Sequence, residues 1–472
     1  MKKTKIICTV GPATDSRELL LAMAHAGMNA ARLNFSHGNL AEHKARIDLI
    51  KSVRGELQQP IAILLDTKGP EIRLGSFQGG GAELVKGQEF TLTTEPLVGN
   101  NTRSFISYKE LPVAVRPGSR ILIADGLIEL LVIAIDGKNV RCSIVNGGMV
   151  TDRKNVNLPG VTSQLPTLTK QDVKDLRFGI EQDVDFIAAS FVRKAADVHR
   201  IREVLLSNGG SHIGIIAKIE NQEGVDRIDE ILACADGIMV ARGDLGVELP
   251  PENMPMVQKF LIKKANDAGK PVITATQMLE SMIVNPRPTR AEVTDIANSI
   301  LDGTDGIMLS GETAIGRYPL EAVRTMAIVA SKTEETIDFG RAGLHLYDIG
   351  NISLTDAVCH AASTASMVLS VTAILAPTNT GYTARQLSKF RPKAPILGAV
   401  YDERTARRLC LNFGVEALKI PLVQNTDELI AIAIITAKKR GYVKYGDTVV
   451  ICAGIPSGQT SQTNMMKVEI VM

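Results

Sequence analysis

The apolar run at 215–219 contains Lys218 and is followed at once by Glu220, in the sequence Ile-Ile-Ala-Lys-Ile-Glu-Asn-Gln-Glu-Gly. Strand side chains two apart point the same way, so one cation and one anion face a common space at a strand end. Residues 237–244, Gly-Ile-Met-Val-Ala-Arg-Gly-Asp, repeat the theme: an apolar run closed by a carboxylate, Asp244. Two carboxylates and a lysine converging in this way suit a divalent cation and a phosphorylated substrate. Taken alone, Lys218 and Glu220 fit a structural ion pair equally well.

Other apolar runs also end in chemistry. Arg32, Asn34 and Ser36 alternate along one run and share a face, with His37 and Gly38 following. Another closes in Asp66, Thr67, Lys68, Gly69, Pro70, Glu71, Ile72 and Arg73. Asn34, Ser36, Asp66 and Thr67 supply hard oxygens for a monovalent or divalent cation. Arg32 and Arg73 supply fork-shaped donors for phosphate or carboxylate. Further runs end at Thr274-Ala275-Thr276-Gln277 and Ser310-Gly311-Glu312-Thr313. Singly, Ser36, Thr67 and Thr276 read as caps or turn residues, and His37 as a turn residue. Together they gather on one rim. Gly243-Asp244-Leu245-Gly246 reads as a loop entering a helical turn, with amides able to hold an anion. No Gly-rich phosphate loop is present: the two Gly-Lys pairs, at 137–138 and 269–270, continue into Asn and Pro.

These side chains need elements to place them. Eight apolar runs, at 5–10, 29–35, 61–66, 185–191, 213–220, 237–244, 271–278 and 306–312, read as strands. Helical patterns fill nearly every gap, at 16–26, 40–57, 170–181, 195–206, 225–233, 252–268 and 290–301. The alternation predicts a (β/α)₈ barrel, with an open doubly wound sheet as the alternative. Residues 70–169 break the rhythm. They are rich in Gly, Val and Thr and in short alternating runs, and predict a small β-barrel unit inserted over the rim as a lid. From about 346 the pattern restarts as an α/β domain. It has helices at 354–370, 383–390, 403–413 and 426–440, and strands at 373–376, 395–400, 447–452 and 467–471. The division is thus 1–69 with 170–345, 70–169, and 346–472. No internal repeat is evident.

Composition narrows the function class. Across 472 residues the net charge is +2 and the hydrophobic fraction 45%, which gives no basic excess for nucleic acid. The longest greasy segment, 429–435, is too short to span a bilayer. Cys8, Cys142, Cys234, Cys359, Cys410 and Cys452 form no Cys-x-x-Cys pair, so buried thiols in a cytoplasmic protein are expected.

The motifs, read in order, resemble those of the pyruvate kinase family. They are Thr9-Val10-Gly11-Pro12, Arg32 to Gly38, Asp66 to Arg73, Asn157-Leu158-Pro159-Gly160, Ala217 to Asn221, Ala241 to Gly246, Thr274 to Met278, Pro286 to Glu292 and Ser310 to Thr313. The resemblance covers essentially the whole chain. It implies phosphoryl transfer from phosphoenolpyruvate to ADP, giving pyruvate and ATP. It implies Mg²⁺ on Glu220 and Asp244, and K⁺ on Asn34, Ser36, Asp66 and Thr67. Lys218 would stabilise the transferring phosphoryl group and the enolate oxygen. Arg32, Thr276 and the Gly243 and Asp244 backbone would hold substrate. Arg73, His37, Lys154 and Asn34 would face the nucleotide. Glu71, in the place where related enzymes carry Glu or Lys, implies dependence on K⁺. A homotetramer is implied, with an allosteric sugar-phosphate or nucleotide effector on the hydroxyl-rich turn of Thr378, Thr380, Gly381 and Thr383, faced by 455–460. Asn155, Asn379 and Tyr382 depart from the family pattern. No appended phosphohistidine-type domain is expected. The competing readings are a Mg²⁺-dependent pyruvate or enolate aldolase, which lacks need of a cation cluster and a lid, and a catalytically silent sugar-phosphate scaffold, which would have lost Lys218, Glu220 or Asp244.

Overall fold

The computed structural model describes residues 2–161, 165–342, 352–423, 425–455 and 462–472. Eight parallel strands close into a barrel in sequential order: Lys5–Thr9, Ala30–Asn34, Ala62–Asp66, Phe186–Ala189, Gly214–Ile219, Gly237–Ala241, Val272–Ala275 and Gly306–Leu309. They are buried nearly throughout because helices cover the outside and packed side chains fill the inside. The helices start where short polar residues can cap them. Thr169 and Asp172 form a reciprocal capping box on Lys170–Glu181, as Thr289 and Glu292 do on Arg290–Leu301.

The barrel floor has a regularity that the sequence does not advertise. An Asx residue precedes each even-numbered strand: Asn29, Asp185, Asp236 and Asp305. The side chain of each accepts the backbone N–H of a residue at the same end of the preceding odd strand, Ile6, Ile63, Ile215 and Val272 respectively, at 2.8–3.0 Å. The Asx amide returns a bond to the carbonyl of that same residue. Four such reciprocal pins fix the strands pair by pair.

The inserted unit is a curled six-stranded sheet with a two-stranded ribbon of Gly81–Leu84 and Gly148–Thr151. Its own core includes Phe90, Leu92, Ile121, Leu130 and Ile144. The third unit has a five-stranded sheet in the order Val415–Lys419, Ile396–Val400, Ala373–Pro377, Thr448–Ala453, Met465–Ile470, with only the last strand antiparallel. Several expectations need correction here. The helix expected over 403–413 stops at Arg408, continues as a 3₁₀ turn at Leu409–Leu411, and gives way to the unexpected strand Val415–Lys419. The single helix expected at 225–233 is two, Gln222–Asp226 and Ile228–Cys234. The segment expected as a loop into a helical turn at 243–246 is already helical from Arg242 to Glu248. The last barrel helix, Pro319–Glu334, was not read from sequence. The expected boundary at 345/346 lies outside the described residues.

The C-terminal domain closes the barrel floor. Cys410 and Leu411 join the apolar cluster of Ile7, Ala30, Leu64 and Phe186 inside it. Around this plug, floor aspartates take arginines from the third domain. Arg407 Nε donates to Asp185 at 2.5 Å, and Arg391 Nη2 lies 3.2 Å from Asp305. Asp185 is almost wholly buried and also faces Arg54 at 3.5 Å. Removing one partner of such a buried pair strands the others. Asp185→Ala is therefore expected to cost about 3–5 kcal/mol, read as a lowered urea midpoint. Asp185→Asn, which keeps an acceptor for the Ile63 amide, should cost less. An alanine variant with the wild-type midpoint would remove Asp185 from the set of anchors.

Candidate active site

At the opposite end of the barrel the strand ends converge as the side-chain alternation requires. Lys218 Nζ lies 2.8 Å from Glu220 Oε1 and 3.1 Å from Asp66 Oδ1. Asp66 Oδ2 accepts from Arg32 Nε at 2.6 Å, and Arg32 Nη1 donates to Thr9 Oγ1 at 3.0 Å. The second, third and fifth strands thus deliver one chain of alternating charge, Arg32, Asp66, Lys218, Glu220. Burial disfavours charge on Asp66, yet Arg32 and Lys218 outweigh it and hold the carboxyl below its ordinary range. Burial likewise works against Lys218, and Asp66 and Glu220 outweigh it and raise the ammonium's pKa. At neutral pH both Asp66 and Lys218 therefore carry charge.

Asp244 is the odd member. Burial first, and Glu220 next, push its carboxyl up to about 7. Lys218 offsets this only in part, since it already serves two carboxylates. A carboxylate pair with too little positive charge is the donor chemistry that fits a divalent cation with waters and substrate completing its shell. Among the described residues no group of three or more His, Cys, Asp or Glu could hold a metal, so a cation here would rest on Glu220 and Asp244 plus non-protein oxygens. Asn34 and Asp66 are direct partners in the strand register. Asn34 Oδ1 accepts from the Ser36 amide at 3.1 Å. The Thr67 hydroxyl accepts from the Ser190 amide at 3.2 Å. This oxygen-rich corner adjoins the charge chain through Asp66.

The opposite wall is built on strain. Thr276 and Gln277 both have positive φ, 68° and 58°, an uncommon conformation for such residues that is held only where surroundings enforce it. Arg242 enforces it, donating to the carbonyls of Thr276 at 2.6 Å and Ala275 at 3.3 Å while pairing with Asp295 at 2.7 Å. The turn presents Thr276 Oγ1 to the Gly243 amide at 2.8 Å. Asp244 borders two cavities. One of about 550 Å³ runs toward Glu71, Phe191 and Asn221, and one of about 1010 Å³ runs toward Gly243, Gln277 and Asp125 of the inserted unit.

Not every expected residue joins this cluster. Arg73 is bound to Glu71 at 2.7 Å and to the Arg153 carbonyl at 2.8 Å. Glu71 thereby pairs with Arg73, with Lys68 3.6 Å away. His37 is exposed in a turn, its carbonyl accepting from His43 Nε2 at 2.9 Å. Lys154 is exposed on the inserted unit. Asn155 donates to Asp125 Oδ1 at 2.6 Å, so its side chain braces an acid bordering the larger cavity. In the third domain, Gly381 supplies the left-handed cap of Tyr382–Lys389 with φ +76°. Thr380 O accepts from Arg385 Nη1 at 3.1 Å, the Thr378 amide bonds the Ala399 carbonyl, and the Thr383 hydroxyl is turned inward onto Thr463 at 2.9 Å. Of the facing segment 455–460, residues 456–460 lie outside the described residues.

Sequence reasoning missed the residues that hold the cluster in place. Ser190 Oγ donates to the Thr67 carbonyl at 2.6 Å and accepts from Lys218 Nζ at 2.8 Å. The next amide, Phe191, donates to Glu220 Oε2 at 2.6 Å. Gly69, with φ +70°, packs so tightly on this pair that a Cβ would meet Phe191 at 2.7 Å and Ser190 at 2.9 Å. The available signal was Ser190 itself, a hydroxyl at the end of an apolar run.

The comparisons with known proteins agree with the fold. The family model described as "Pyruvate kinase, barrel domain" matches residues 1–323, and "Pyruvate kinase, alpha/beta domain" matches 356–469. A pyruvate kinase of Clostridium acetobutylicum is 51% identical, with 100% of both chains covered. One of Geobacillus stearothermophilus is 49% identical over 100% of this chain and 80% of its own. The crystal structure of a pyruvate kinase from Cryptosporidium parvum superposes with a TM-score of 0.96 at 40% identity, covering 100% of this chain and 96% of that one.

Ser190→Ala would leave Lys218 with carboxylates alone and free it to swing. Loss of one hydrogen bond to a charged group costs about 1.5 kcal/mol, so kcat for phosphoryl transfer is expected to fall about tenfold with KM little changed. Unchanged kcat would show that the two carboxylates suffice to place the lysine.

Proposed function

This chain belongs to the pyruvate kinase family, and from that premise we infer how its barrel mouth transfers the phosphoryl group of phosphoenolpyruvate to ADP, giving pyruvate and ATP. The observation that carries the reading is the buried charge chain Arg32–Asp66–Lys218–Glu220 with the undercompensated Asp244 beside it. The bond between phosphorus and the enol oxygen breaks, one forms to a terminal oxygen of ADP, and the enolate takes a proton. Little of this needs covalent help from the protein. It needs positioning and neutralisation of charge on the transferring oxygens. Lys218 and Arg32 face that charge, and Thr276 with the Gly243 and Asp244 backbone holds the substrate carboxylate end.

A divalent metal and a monovalent cation belong to this activity. We assign Mg²⁺ to Glu220 and Asp244, and K⁺ to Asn34, Ser36, Asp66 and Thr67. Bound there, the two ions supply fixed positive charge to the substrate oxygens. Arg73 would leave Glu71 to meet the nucleotide when the inserted unit closes, with His37, Lys154 and Asn34 on the same side. The catalytic unit is taken as 1–69 with 170–345, the lid as 70–169, and the regulatory domain as 346–472. No described helix is long and apolar enough to cross a membrane, and a cytoplasmic glycolytic role suits the activity.

An assay coupling pyruvate formation to NADH oxidation tests the cation assignment. Turnover is expected to require both Mg²⁺ and K⁺. Full activity with tetramethylammonium as the sole monovalent cation would exclude the K⁺ site. A second expectation concerns control. The enzyme should sediment as four chains and respond to a sugar-phosphate or nucleotide activator through Thr378, Thr380, Gly381 and Thr383. Because linkage is reciprocal, that activator must bind more tightly when phosphoenolpyruvate is present. Equal affinity with and without phosphoenolpyruvate would sink this expectation.

A further inference from the structure

A small cavity of about 150 Å³ lies in the seam between the barrel floor and the C-terminal domain, away from the mouth. Lys270 lines it from the barrel side, and Arg385, Arg408 and Tyr382 from the domain side, with Asp236 between. The charge there does not balance. Three cations face one carboxylate, and that carboxylate is already spoken for: Asp236 Oδ2 takes Arg202 Nη2 at 2.5 Å and the Ile215 amide at 2.8 Å. Arg408 Nη2 reaches Asp236 Oδ1 only at 3.7 Å. Arg385 spends one donor, on the Thr380 carbonyl at 3.1 Å, of the five that a guanidinium carries. Lys270 Nζ donates to the Leu232 and Ala235 carbonyls, which leave its charge uncancelled. Burial, and Arg408 next, depress Arg385 to about 10.

A second observation is independent of charge. Asn412 lines the same cavity, is 3% exposed, and its side-chain oxygen has no hydrogen-bond partner. A buried acceptor left unmade costs about 1–3 kcal/mol. The site therefore asks for a compact group that brings negative charge for two guanidiniums and an ammonium and also a hydroxyl for an amide oxygen. The space holds about five waters.

We propose that this seam binds a tetrahedral oxyanion of the hydrogenphosphate class, as free phosphate or as the phosphate end of a monoester, between Lys270, Arg385, Arg408 and Asn412. Its protonated oxygen donates to Asn412 and its charged oxygens accept from the arginine forks. The site shares Arg385 with the turn at Thr380, and it touches Asp236, which pins the floor end of the strand leading to Gly243 and Asp244. An occupant would thus tie the regulatory domain to the base of a strand that ends in the active site.

Titration calorimetry of the full-length enzyme with sodium phosphate, at constant ionic strength in chloride, tests this. Sites on the mouth or the 378–383 turn are separated by variants. Arg408→Gln is expected to weaken one class of phosphate binding at least tenfold, and Lys270→Met, altered on the barrel side, to do the same. Thr380→Ala/Thr383→Ala should leave that class intact. Hexose 6-phosphate binding with the same Arg408 dependence would identify the monoester as the form accepted, and dependence for orthophosphate alone the free ion. Titrations of both the Arg408 and Lys270 variants that overlay the wild type would overturn the proposal, as would loss of the same class in the Thr380/Thr383 variant.

Discussion

The ammonium of Lys218 sits almost without solvent between two carboxylates, and the molecule is organised around keeping it there. A buried charge is tolerable only when partners compensate it from fixed positions. Asp66 and Glu220 do so from the third and fifth strands, and Arg32 of the second strand keeps Asp66 ionised. No single element could assemble this chain, because its members lie up to 188 residues apart in sequence, between Arg32 and Glu220. A closed barrel brings their strand ends onto one ring. Beside this chain Asp244 is left with too little positive charge, and burial and Glu220 push its carboxyl up.

The two ends of the barrel solve opposite electrostatic problems with related means. At the mouth, the carboxylates of Asp66, Glu220 and Asp244 outnumber the cations of Arg32 and Lys218. At the floor, aspartates are consumed twice, once by backbone amides within the barrel and once by arginines of the C-terminal domain. The strands between are short, so the same element that carries a floor pin at one end carries a residue of the candidate site at the other. The fourth strand, Phe186–Ala189, is flanked by Asp185 and Ser190, and the sixth, Gly237–Ala241, follows Asp236 and leads into the helical turn that holds Gly243. Domain docking and lysine placement are therefore held by one framework.

Much of this was legible in the sequence because it depends on local alternation. The run of Lys218 and Glu220, the closing of another run in Asp244, and the sequence of strands and helices follow from periods of two and about 3.6 residues. The inserted β unit was visible as an interruption of that rhythm. What escaped was whatever depends on a partner distant in sequence. Ser190 reads as a strand terminus until Lys218 and Thr67 are brought beside it. Arg242 reads as one more charge in a loop until it is seen holding the carbonyls of a strained turn. The strand Val415–Lys419 is an edge strand whose Glu416 and Lys419 lie three apart and break the alternation, and its pattern is too short to separate from the preceding helix. Arg73 offers a fork to any anion, and it folds back onto Glu71, two residues away.

The four floor pins also bear on how the chain finds its shape. Three of them join residues 21–33 apart, whereas the Ile63–Asp185 pin spans 122, because the inserted unit interrupts the pair of strands that this pin unites. Closing the longer loop costs about 1.6 kcal/mol more entropy than closing the shortest. That penalty shrinks once the insert has condensed around its own core, for its two ends then lie side by side, with the Gly69 amide bonded to Asp172. Collapse of the inserted unit therefore lowers the cost of joining the third strand to the fourth, the seam across which Lys218 reaches Asp66.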